Sequence, residues 1–233
     1  IPRGTVYTTY KISEKWPVLV ETLAQDYEIG VHVHPQEFGH SNDRLAALEL
    51  DRQRELIALT RDSIAASIGC DPATITAFRA GRHSVSLDTV KALDSLGFQV
   101  DASINVNYRD TLPEEYLDRR EHFELPSGII EIPISYFEPP IFSALGLCRL
   151  TTNRITATAS TLRSDSMFCN GLNAVRTLFE STDGVISMYM HPYDATGYHQ
   201  DLTNVGKPFR NRIESLLTEV ERFITASEVG SQG

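Results

Sequence analysis

The sequence predicts an α/β fold with parallel strands. Three observations point there: β-rich and amphipathic segments alternate as βαβαβαβ through the first half, Ser and Gly stand at element ends, and polar side chains recur just after predicted strands. Thr5 to Tyr10 is rich in Thr, Val and Tyr and reads as a first strand. A helix follows from about Ser13, with Trp16, Val20 and Leu23 near helical spacing and Trp16 expected in the core. Glu28 to His34 is the second strand, stopped by Pro35. A long helix is predicted from about Asn42 to Ile68, with Leu50, Ile57, Ile64 and Ile68 in one stripe.

Thr74 to Phe78 is a short third strand. Ser86 caps a helix over Leu87 to Leu96, and Gly97 stops it. Phe98 to Ile104 returns as a strand. Tyr108 to Glu124 is charged and loop-like, whereas Gly128 to Ser135 reads as a buried strand carrying one acid, Glu131. Tyr136 to Leu150 reads as a loop or short helix. Ser166 to about Ser181 is amphipathic through Phe168, Leu172, Val175 and Phe179, with Asp165 as its N-cap. Gly184 to Met190 reads as a strand ending in His191. Ile213, Leu216, Leu217, Val220, Phe223 and Ile224 mark a last helix. With no repeat and no linker, residues 1–233 read as a single domain.

A chain of 233 residues with 41% hydrophobic content can bury a full core. Its 21 basic and 31 acidic residues leave a net charge of -10, which argues against nucleic acid or an anionic membrane surface as partner. No apolar run has the length of a membrane span. Cys70, Cys148 and Cys169 are odd in number and lack a CxxC, so they read as reduced core thiols. The cytoplasm is slightly favoured. Export stays open because the chain looks truncated before Ile1-Pro2. Oligomeric state is not readable.

His32 and His34 carry the most chemistry. Residues two apart on a strand point to one face, so both imidazoles can converge on a metal ion at the strand tip. Arg79, Asp101 and His191 also follow predicted strands, and a parallel barrel gathers strand ends on one face. His83 and His199 read as solvated loop residues, and Tyr193 and Asp194 as possible neighbours of substrate.

In order and spacing, several short strings resemble the polysaccharide deacetylases of the NodB-homology fold, carbohydrate esterase family 4. Tyr27-Glu28-Ile29-Gly30-Val31-His32 is similar to that family's G-H-E-I-G-x-H motif, and Phe78-Arg79-Ala80-Gly81 to its Arg motif. Leu96-Gly97-Phe98 with Asp101-Ala102-Ser103, Gly128-Ile129-Ile130-Glu131-Ile132-Pro133 and Met190-His191-Pro192 resemble three later ones. The resemblance implies a distorted (β/α)7-type parallel barrel whose first strand is missing from this chain. It also implies a divalent metal, most often zinc, and hydrolysis of N-acetyl groups, or a related non-peptide C–N bond, on a carbohydrate. Carried over by position, His32 is a metal ligand and Arg79 holds a catalytic acidic residue. Asp101 orients the late His, and His191 is the general acid.

Three departures from the pattern matter. The family's second metal His falls four residues after the first, where Gln36 stands here, so His34 takes that place, with His40 a poorer candidate. The family's first motif, a strand ending in paired Asp residues, would lie upstream of Ile1. Gly81 replaces a more usual Pro. Two alternatives follow: a degenerate barrel that binds glycan without turnover, and an amidohydrolase-type metal barrel.

Overall fold

The computed structural model of the protein describes residues 3–108, 112–138, 155–158, 161–162, 165–166, 169–182, 184–191 and 206–231. They fall into two compact units, one of Ile1–Ile104, Tyr108–Pro133 and Phe223–Gly233, the other of Asn105–Asn107 and Ile134–Arg222.

In the first unit, β1 (Thr5–Thr8), β2 (Glu28–Val33), β3 (Ala77–Ala80), β4 (Val100–Asp101) and β6 (Ile130–Glu131) are parallel neighbours in that order. β5 (Phe123–Glu124) lies antiparallel on the β6 edge. Successive strands sit side by side with no reversal of order. Right-handed crossovers then return on the same face each time, which is the winding of a (β/α) barrel rather than of a doubly wound sheet. The sheet is not closed among the described residues.

The two faces of the sheet differ in chemistry because side chains alternate along each strand. Ile29, Val31, Val33, Phe78 and Ala80 point to the helical side and are buried with Leu56, Ile57 and Ile64 of α3 (Leu50–Ile68) and Val90 and Leu93 of α4 (Leu87–Ser95). Each large aliphatic side chain so withdrawn from water contributes about 2 kcal/mol. The opposite face carries Tyr7, Glu28, His32 and Arg79, whereas Asp101 is in register with Phe78 and with Glu131. The α4 boundaries follow the sequence closely. Ser86 and Thr89 form a reciprocal cap, and Gly97 adopts φ +75° just past the helix.

Elsewhere tertiary contacts override local signals. The first predicted helix is divided into α1 (Tyr10–Lys15) and α2 (Pro17–Ala24) by Pro17, and Trp16 at the junction is 54% exposed rather than in the core. Helix α3 begins at Leu50, not near Asn42, because the preceding stretch is held as a loop and a 3₁₀ turn at Leu45–Ala47. Strand β3 lies two to three residues later than predicted, since Asp71-Pro72 starts a 3₁₀ turn over Pro72–Thr74. That shift puts Arg79 inside the strand. Within the predicted loop, Glu114–Leu117 forms the short helix α5.

The second unit holds two antiparallel pairs, β7 (Tyr136–Phe137) with β8 (Ile155–Thr156) and β9 (Asp165–Ser166) with β10 (Cys169–Asn170). Asp165 is therefore a strand residue and not a helix cap. Helix α6 (Gly171–Ser181) and helix α7 (Gly206–Leu217) bury Val175, Ile213 and Leu216 together with Leu162. Gly184 to Met190 forms only a single bridge, between Tyr189 and Thr158, instead of a strand. The last predicted helix ends at Leu217. A second capping pair, Thr225 with Glu228, starts α8 (Ala226–Gly230), which belongs to the first unit. Cys148, Tyr193, Asp194 and His199 lie outside the described residues. Cys70 is a free, half-buried thiol.

Candidate active site

Strand β2 delivers both histidines. His32 pairs in register with Arg79, and His34 follows on the same face just past the strand end. The Nδ1 of His32 donates to the Arg79 carbonyl at 2.8 Å, and the Nδ1 of His34 donates to Oδ2 of Asp43 at 2.9 Å. Both rings thus commit their Nδ1 proton outward and turn Nε2 toward each other, 3.1 Å apart. Two lone pairs at that separation repel unless a proton or a cation lies between them. Burial, and then the neighbouring His34, lower the His32 pKa to about 3, so its imidazole is neutral across the physiological range. Neutral imidazole is the ligand form. The pair therefore fits a divalent ion as two nitrogen donors. Among the described residues, no third His, Cys, Asp or Glu joins them to complete a set.

His40 is turned elsewhere: Arg52 Nε donates to its Nε2 at 3.1 Å. His83 is buried, contrary to its reading as a solvated residue. Its Nδ1 donates to the Ser103 carbonyl at 3.0 Å, and its ring centre lies 5.1 Å from that of Tyr108. The cause is the backbone, because Arg82 and His83 both adopt φ 53° and the turn folds inward.

Arg79 spans the polar face beside the histidines. Its Nε donates to the Ala102 carbonyl at 2.8 Å, and its guanidinium carbon lies 4.5 Å from the centre of the Tyr7 ring. Gly30 leaves room for that ring, since a Cβ there would lie 2.7 Å from Cδ1 of Tyr7. Asp101 and Glu131 are Cα partners on neighbouring strands and both are fully buried. The Ser103 hydroxyl donates to Asp101 Oδ1, and the backbone N–H of Ile104 donates to Glu131 Oε1 at 2.8 Å. Oδ2 of Asp101 and Oε2 of Glu131 receive no other donor. A proton shared by the two carboxyls accounts for both atoms. Burial raises Asp101 to about 6, against the Ser103 and Glu131 hydrogen bonds and the Arg79 charge. Burial and the Asp101 charge push Glu131 well above the ordinary carboxylate range.

The structure thus gathers His32, His34 and Arg79 on one face of the first unit, with Asp101 on the neighbouring strand within reach of the Arg79 charge. His191 is an exposed residue of the second unit, with its ring centre 5.8 Å from that of Tyr189. Asp43, Glu131 as a partner of Asp101, and the 81–83 turn were not legible beforehand. The isolated acid in the strand at Glu131 was the one signal available.

Neither a family model nor a curated protein sequence matches the chain. Solved structures do. A provisionally assigned polysaccharide deacetylase from Mycobacterium smegmatis aligns over 99% of this chain and 71% of its own, with a TM-score of 0.64 and 18% identity. The chain has the polysaccharide-deacetylase fold. A family 4 carbohydrate esterase from Streptomyces lividans, solved with acetate, covers 91% of this chain and 75% of its own at a TM-score of 0.46 and 10% identity. A provisionally assigned deacetylase of O-antigen biosynthesis from Bordetella bronchiseptica covers 93% and 88% at 0.40 and 11%.

Proposed function

We propose that the protein is a metal-dependent hydrolase that removes N-acetyl groups from a carbohydrate. The observation that carries this reading is the convergence of the His32 and His34 Nε2 lone pairs. They meet beside a cationic Arg79, on the polar face of a deacetylase-type sheet. His32 and His34 would hold a divalent ion such as zinc through Nε2, and such an ion would supply Lewis-acid chemistry, polarising the amide carbonyl and acidifying a water. Arg79 offers its positive charge to an acidic partner or to substrate oxygen, and its own position is fixed by the Ala102 carbonyl and the Tyr7 ring. Asp101, on the neighbouring strand, supplies an opposing charge to Arg79. His191 is the residue we propose as the acid that protonates the departing amine.

Among the described residues no helix is long and apolar enough to cross a membrane. The second reading is glycan binding without turnover. Acetate release from an N-acetylglucosamine oligomer, measured with and without added zinc, tests the proposal. Zinc-stimulated release that disappears in His32→Ala supports hydrolysis. Binding of the oligomer with no release at any zinc concentration overturns it in favour of the second reading.

A further inference from the structure

We infer that Asp43 is a positioning residue that turns His34 into the second metal ligand, two residues after His32 instead of four. The inference rests on the metal reading above and deepens it. Strand geometry places His34 on the same face as His32, but a terminal ring can still present either nitrogen. Asp43 removes that freedom. Its Oδ2 lies 2.9 Å from His34 Nδ1, so the proton stays on Nδ1 and the lone pair on Nε2 faces His32. A carboxylate bound to the far nitrogen of a ligating imidazole also raises the basicity of the near one.

Asp43 is itself held rigidly. It is buried at 7% exposure, accepts from Arg82 Nε at 2.9 Å through Oδ2, and accepts from the Gln36 backbone N–H at 3.3 Å through Oδ1. The Arg82 contact requires an unusual backbone. Arg82 and His83 both adopt φ 53°, a conformation that a non-glycine residue keeps only where surrounding contacts enforce it. Loop 42–49, which the sequence reads as helix, is where Asp43 leaves its chain to meet His34. The site and its support thus come from three separate stretches, residues 32–36, 43 and 81–83.

The test uses the 233-residue chain, with zinc alone as the probe and competition against a chromophoric chelator as the readout. His32→Ala serves as the control for the site. Asp43→Ala removes the acceptor, and the nearly isosteric Asp43→Asn removes only the charge if the alanine variant fails to fold. The expected result is a loss of zinc affinity of about 10–100-fold for the Asp43 variants. Nitrogen-15 spectra of the zinc-free variants would show His34 losing its pure Nδ1–H tautomer, a change that a merely structural clamp does not require. If the Asp43 variants bind zinc as the parent does and keep that tautomer, while His32→Ala loses the metal, the inference is overturned and the metal site stands. A parent chain that binds no zinc overturns both.

Discussion

His34 and Gly81 occupy adjoining space so closely that a side chain at 81 is incompatible with the ring. A Cβ added to Gly81 would lie 2.7 Å from His34 Nδ1 and 2.5 Å from the Val33 carbonyl oxygen. Gly81 is therefore what leaves room for the ring of His34.

Gly81→Ala should displace His34, since neither the backbone carbonyl nor the seated ring can yield cheaply. We expect a stability loss of about 1–3 kcal/mol from overpacking, together with loss of bound zinc. Urea unfolding and elemental analysis check both. Parental stability with full zinc content would show that the crowding is relieved without moving the histidine.

The shared proton of Asp101 and Glu131 has a pH signature. Both carboxyls are raised in the folded state, so the folded chain holds more protons than the unfolded chain between the two sets of pKa values. Their contribution to stability is complete below about pH 4 and is lost as pH rises through about 6 and beyond. Glu131→Gln keeps a donor toward Asp101 and removes one titrating group. The parent should therefore lose stability relative to this variant as pH rises from 5 to 8, measured as urea midpoints. A difference that does not change with pH would rule out the shared proton.

Glu28, although it sits in the stretch that resembles a metal motif, ties down the C-terminal helix. Its carboxylate accepts from the Ala226 backbone N–H at 2.9 Å, and from the hydroxyls of Thr5 and Ser227. Glu28→Ala should cost about 2–3 kcal/mol, the scale of hydrogen bonds to a charged acceptor, with zinc binding unchanged. A change under about 0.5 kcal/mol, the usual range for surface substitutions, would contradict this.

His191→Ala should abolish acetate release from an N-acetylglucosamine oligomer while leaving zinc bound. Kinetics and metal analysis of the same preparation check it. Turnover equal to the parent would remove His191 from the proton-transfer role.

Much of this protein was legible in the chain itself. The alternation of Ile29, Val31 and Val33 with Glu28, Gly30 and His32 determines which face of β2 is apolar, and a period of two places His34 beside His32. Ser86 and Gly97 fix α4 through local backbone preferences alone. The order of parallel strands followed from the alternation of elements. Tertiary structure decided the remainder: Trp16 exposed at a proline break, Asp43 drawn out of a helical pattern, Glu131 set against Asp101, and Arg82 held at a left-handed φ. The division has a physical reason. Periodicity and capping are short-range and repeat along the chain, whereas the partner of a buried charge is found only when distant strands and loops meet, and the energy of that pairing exceeds the local preference it overrides.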